Sequence, residues 1–163
     1  MTKKIAPHIA LVPAIADVSS APSLDASFLE SLIGYNARRA AACIIDVFLE
    51  RMVVYGLRTA DFSLLALVGH NPGITSRELC AALGILPPNL VRIVADLDQR
   101  GLLLRKPHPT DGRAIGLHLS AEGKTMLREA ERTVRQLEDD AAHRLTPAEQ
   151  KLLISLLKKV YKP

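Results

Sequence analysis

The sequence predicts a mainly α-helical fold with one small β-hairpin, and three observations carry that prediction. Of 163 residues, 48% are hydrophobic, yet only three are Phe, three Tyr and none Trp, so Leu, Ile, Val and Ala must fill the core. That composition favours helices packed on helices. Apolar residues recur at helical spacing through most of the chain beyond Asp25, which is the second observation. The third is a drop to period two on either side of His108-Pro109-Thr110-Asp111-Gly112, a turn signal between two strands. The length suits one domain with an ordinary core and an extension.

Residues 1–24 hold Pro7, Pro13, Pro22 and a Ser19-Ser20 pair, and read as an N-terminal arm ahead of a domain over residues 25–163. Lys3 and Lys4 precede an apolar run in the manner of a signal peptide, but Pro7, His8 and Pro13 interrupt it. From Asp25 to Gly56, Phe28, Leu32, Ile33, Ala40, Cys43, Ile44, Val47, Phe48 and Met52 predict one long helix, apolar on more than one side. A helix on a single core needs one apolar stripe, so the second stripe is expected to meet another chain. Thr59 is expected to cap the next helix, with Asp61 in its first turn and Phe62, Leu65, Ala66 and Val68 inside, before Asn71-Pro72-Gly73 turns the chain.

Thr75-Ser76-Arg77-Glu78 is a capping box, in which the threonine hydroxyl takes one orphan N–H and the glutamate reaches back for another. The short helix it starts turns Leu79, Ala82 and Leu83 inward and stops at Gly84. Pro87 and Pro88 suit the first turn of a further helix, whose inner face is Leu90, Ile93, Val94 and Leu97 and whose outer face shows Asn89, Arg92, Asp96 and Gln99. Leu103 and Arg105, then Ile115, Leu117 and Leu119, form the hairpin, which has a basic tip. Ser120 and Glu122 start a long helix through Met126, Leu127, Ala130, Val134, Leu137 and Ala141. Thr146-Pro147-Ala148-Glu149 caps the last helix, whose Leu152, Leu153, Leu156, Leu157 and Val160 form another surplus apolar face.

The formal charge of +4 is uneven: residues 1–85 sum to zero, while residues 86–119 and 120–163 carry +2 each. This excess beyond the midpoint permits a polyanionic partner without requiring one. Cys43 and Cys80 sit in apolar patterns with no CxxC or Cys/His cluster, which excludes a disulfide framework and points to a reducing cytoplasm; Ala42 and Ile44 make Cys43 a buried packing residue. Neither His8 nor His108 has ligand spacing around it, so no metal and no cofactor is expected. No apolar run reaches the ~20 residues that span a bilayer. Nucleophile elbows, phosphate loops, dinucleotide fingerprints and metalloprotease pairs are all missing, so the chain is not read as an enzyme.

Leu97-x-x-x-Gly101-Leu102-x-x-Arg105, then Asp111-Gly112-Arg113, then Leu117-x-Leu119-Ser120-x-x-Gly123 occur in one order and spacing. That string resembles the MarR family of winged helix-turn-helix regulators, over about residues 28–162. The resemblance implies a supporting helix over residues 75–84, a recognition helix for the major groove over residues 87–100 and a wing over residues 103–119. It places Arg113 in the minor groove with Asp111 orienting it. A narrow minor groove concentrates negative potential, and a guanidinium fits it without a base-specific pattern.

By the same resemblance Asn89, Arg92, Pro88 and Val91 face bases, and Arg77, Arg105 and Lys106 face phosphates. Leu86 stands where the family often has a polar cap, Asp96 where a basic residue is common, and Gly112 where D-x-R often has Arg. The first two predict fewer direct base hydrogen bonds and more reliance on thymine methyls and DNA shape. Residues 57–119 would form the DNA-binding part, and residues 25–56 and 120–163 the dimerisation helices. A homodimer implies double-stranded DNA with an inverted-repeat operator, its half-sites roughly 10 bp apart.

Family members commonly take small aromatic acids between the dimerisation helices and the reading head, where this chain offers Tyr35, Arg38, Arg39 and His70. Arginine holds a carboxylate by two parallel bonds, and tyrosine and histidine add a flat face and a polar edge. The combined expectation is a cytoplasmic repressor released by a benzoate, salicylate, hydroxycinnamate or nicotinate derivative. A redox-sensing regulator working through Cys43 or Cys80, and a winged-helix interaction module without DNA function, are the alternatives.

Overall fold

The computed structural model describes residues 24–107 and 114–162. The expected arm, apart from Leu24, and the hairpin tip at residues 108–113 lie outside the described residues. The chain divides into two units, residues 1–36 and 37–163.

The described part of the first unit holds α1 (Ser27–Glu30) and the start of α2 (Ile33–Met52), so the single long helix expected from residue 25 is interrupted. Side chains compete for its carbonyls. The Ser31 hydroxyl donates to Phe28 O at 2.7 Å, and the Asn36 amide donates to Glu30 O at 2.7 Å and to Leu32 O at 2.8 Å. Such local bonds offer the backbone an alternative to the helical ladder, and the chain breaks there.

In the second unit, α2 runs into a 3-10 turn (Val53–Tyr55) that Gly56 ends at φ 58°. Then come α3 (Thr59–His70), β1 (Ile74–Thr75), α4 (Ser76–Leu83), α5 (Pro87–Gln99), β2 (Leu103–Pro107), β3 (Ile115–Leu119), α6 (Ala121–Ala141) and α7 (Pro147–Tyr161). The cap of α3 lies one residue before the expected Thr59: the Arg58 N–H donates to the Asp61 carboxylate at 2.9 Å. The hairpin gains a third strand, in the order β1-β3-β2, all antiparallel. A Cβ on Gly116 would come within 2.7 Å of Gly73 O, so glycine is what lets β1 approach.

One core joins these elements. Phe48 and Met52 of α2, Leu64, Leu65 and Val68 of α3, Leu79 of α4, Leu90, Ile93, Val94 and Leu97 of α5, Leu103, Leu117 and Leu119 of the sheet and Leu127, Ala130 and Leu137 of α6 are all buried. Phe48 meets Phe62 edge to face at 5.8 Å. Two residues expected inside are not. Ala82 is exposed on α4, where half-buried Cys80 packs against the core instead, and Cys43 is exposed on α2 rather than buried. Both departures arise because each helix presents only part of its apolar surface to this core. No residue of α7 is buried, and Leu152, Leu153, Leu156, Leu157 and Val160 stay exposed. No single helix among the described residues is long and apolar enough to cross a membrane.

The cap of α7 makes a pH prediction. The Thr146 N–H and hydroxyl both donate to Glu149 at 2.7 Å, the backbone bond first and the hydroxyl second holding its carboxyl below the ordinary value. A depressed folded value means the stabilisation is full above the ordinary carboxylate pKa, about 4.3, and lost as pH falls through the lowered one. Helicity at the start of α7 is therefore expected to fall in acid below about pH 4. Amide exchange at residues 147–150 measures it, and Thr146→Ala, which removes the hydroxyl but keeps the larger backbone contribution, should weaken the dependence without abolishing it.

Candidate nucleic-acid interface

The α4–α5 pair is built by short-range chemistry. Thr75 accepts from the Glu78 N–H at 3.3 Å while Glu78 accepts from the Thr75 N–H at 2.8 Å, closing the capping box. Gly84 then adopts φ 63°, a left-handed conformation that stops α4 and frees the chain to turn. Leu86 caps α5 without a side-chain bond, and Pro87 and Pro88 occupy its first turn. The chain bends by 113° between the two helices, within the helix-turn-helix range.

Leu90, Ile93, Val94 and Leu97 anchor the inner side of α5, which fixes what its outer side presents. Pro88, Asn89, Val91 and Arg92 are all exposed there, beside Asp96 and Gln99. Val91 is 67% exposed and Leu86 70%, so apolar groups share this surface with one amide and one guanidinium. Arg77 is exposed in the first turn of α4.

The sheet sorts the wing residues onto two faces. Arg105 Nε lies 3.1 Å from Asp98 Oδ2, tying β2 to α5, while the neighbouring Lys106 points to the opposite face. The ion pair is half-exposed and worth about 1 kcal/mol at most, but it fixes direction and leaves Arg105 with further donors. Asp111 and Arg113 lie outside the described residues.

Arg100, which the sequence did not single out, joins this surface to the long helices. Its guanidinium donates to Tyr55 O at 2.7 Å and Gly56 O at 2.9 Å, and approaches Met126 Sδ at 3.7 Å. It thus satisfies carbonyls left open at the end of the 3-10 turn from the C-terminus of α5. Its partners lie 44 and 45 residues upstream, so no local pattern announces it.

The four expected ligand residues are distributed differently. Tyr35 is half-buried in the first unit, Arg38 and Arg39 are exposed on α2, and His70 ends α3. His70 Nε2 sits 2.6 Å from Glu131 Oε1 of α6, with Arg135 Nη2 3.8 Å from the other carboxylate oxygen. An anionic ligand at that ring nitrogen would have to displace Glu131. An apolar cavity of about 550 Å³ between α2, α6 and α7 is lined by Ile44, Val134, Leu153 and Leu157 with Arg135, and by none of the four.

A family model described as the MarR family matches residues 55–114. A putative transcriptional regulatory protein for the hcr operon of Thauera aromatica is 29% identical over 131 residues, covering 80% of this chain and 79% of that one. Among solved structures, the transcriptional repressor CouR bound to a 23-mer DNA duplex is 32% identical with a TM-score of 0.80, covering 86% of this chain and all of that one (100%). A MarR family protein of Mycobacterium tuberculosis in complex with salicylic acid is 25% identical with a TM-score of 0.65, covering 80% and 96%.

Proposed function

This chain belongs to the MarR family of transcriptional regulators, and on that premise we propose that it is a cytoplasmic, homodimeric repressor that leaves its operator when a small aromatic carboxylate binds. The observation that carries the reading is the α4–α5 pair with its exposed Asn89, Arg92 and Val91, fixed to the wing strands by Asp98 and Arg105. Likeness along the full length of a repressor seen on DNA supports it. The exposed apolar face of α7 supports the dimer, and the salicylate complex of a relative supports the effector class.

Each subunit of the dimer offers one recognition helix and one wing to an inverted repeat. Asn89 and Arg92 supply the few base hydrogen bonds, Pro88 and Val91 the apolar contacts, and Arg77, Arg105 and Lys106 the phosphate contacts. Arg113, by its motif, enters the minor groove with Asp111 holding it. The effector acts by favouring a spacing of the two reading heads that no longer fits successive major grooves, and its effect cannot exceed its differential affinity for the two spacings. Tyr35, Arg38, Arg39 and His70 remain the residues proposed to hold it. The protein binds and releases; it transforms no substrate.

Fluorescence anisotropy with duplexes from its own promoter region tests the reading. Arg113→Ala is expected to weaken operator binding by 10- to 100-fold, about 1–3 kcal/mol, with unchanged helical content, and salicylate is expected to weaken the parent's binding. Equally tight binding by the variant and the parent would overturn the wing assignment of Arg113, and no operator binding by the parent would favour an interaction module without DNA function.

A further inference from the structure

Lys106 of β2, His118 of β3 and Lys124 of α6 converge on one pocket of about 110 Å³, walled otherwise by Val68, Gly69, Pro72 and Leu119. The strand register explains two of the three. Lys106 pairs with Gly116 and His118 with Leu104, so both side chains leave the same face of the sheet as diagonal neighbours. Over Gly116 that face is covered by the backbone of Gly73, and the adjoining Pro72 walls the pocket beside Lys106. Lys124 arrives from the first turn of α6, four residues after the Ser120 cap.

Among the described residues no carboxylate lines this pocket, and none of the three side chains bonds another of them. That sets it apart from other basic groups of the fold: Arg51 faces Asp140, Arg105 faces Asp98 and Arg135 faces Glu131. Lys106 and Lys124 line the pocket beside the apolar walls of Val68 and Leu119, where two like charges repel each other more than they would in open water, and His118 adds a ring nitrogen. A bound oxyanion removes that repulsion and accepts from all three. The volume selects the size, because pockets for drug-sized ligands run to about 300 Å³ and more, whereas this one holds a single tetrahedral group.

We propose that Lys106, His118 and Lys124 form an oxyanion site for one phosphate group. Its source is either the DNA backbone, in which case the site rests on the function proposed above, or a free phosphate. Titrating inorganic phosphate into the full-length protein, against chloride at equal ionic strength, while following the His118 ring nitrogens by NMR, reads the site without DNA. A saturable, phosphate-specific shift that weakens at least about tenfold in Lys106→Ala/Lys124→Ala is expected.

The second arm measures operator affinity against salt for the parent and the same double variant. Loss of one backbone phosphate contact makes the log–log slope shallower by about 1. A shallower slope assigns the site to the DNA backbone, and an unchanged slope with a phosphate-specific shift assigns it to a free anion. A His118 response no greater than with chloride, together with an unchanged slope, would overturn the proposal. If the parent binds no operator at all, the function fails and the phosphate titration alone decides the site.

Discussion

Gly123→Ala is expected to destabilise the fold by about 3 kcal/mol, the upper part of the range for forced overpacking. Gly123 is buried in the first turn of α6, and a Cβ there would overlap the carbonyl oxygen of Leu102. That oxygen cannot swing aside, since it accepts from the Ser120 N–H at 3.1 Å, and Ser120 Oγ in turn accepts from the Gly123 N–H at 2.9 Å. The helix start and the segment after α5 must therefore separate. A urea melt should show the midpoint falling with the slope unchanged, and the melting temperature should drop by roughly 10 °C for a chain of this size. Gly69→Ala is the informative comparison. Its added Cβ meets the side-chain tip of Leu127, which can rotate, so a smaller loss is expected there.

Leu97→Ala is expected to lose about 2–5 kcal/mol, the range for removing a fully buried leucine with partial collapse around the cavity. Leu97 has no exposed surface and closes the inner face of α5, next to the Gly101 turn that leads into β2. The same melts measure it, and a loss under about 1 kcal/mol would contradict the placement of α5 on the core. Operator affinity of the fraction that stays folded should change far less, because Leu97 faces away from Asn89 and Arg92.

What was legible in the sequence was local. The Thr75–Glu78 and Thr146–Glu149 boxes, the Ser120 cap, the two prolines of α5 and the period-two strands are each decided within a few residues, and each stands where the pattern put it. The break at Ser31 escaped because it depends on whether Ser31 and Asn36 spend their polar groups on the backbone, which spacing does not reveal. β1 escaped because two residues show no alternation. Ties across the molecule were invisible for a different reason: Arg100 to Tyr55 and His70 to Glu131 are separated by 45 and 61 residues. The candidate interface was therefore readable as a helix and a hairpin, while the groups that aim them were not.

The Asp98–Arg105 pair and the buried Leu97, Leu103 and Leu117 make α5 and the wing strands one rigid reader. On the proposed function this sets a grammar for the operator. Within each half-site, the bases under α5 and the step under the wing stand at a fixed distance. Inserting one base pair between them shifts the second contact by roughly 3.4 Å and turns it by roughly 35°. Single-nucleotide insertions inside a half-site should therefore silence it, whereas substitutions at its untouched positions should be read only through how easily they let the groove narrow.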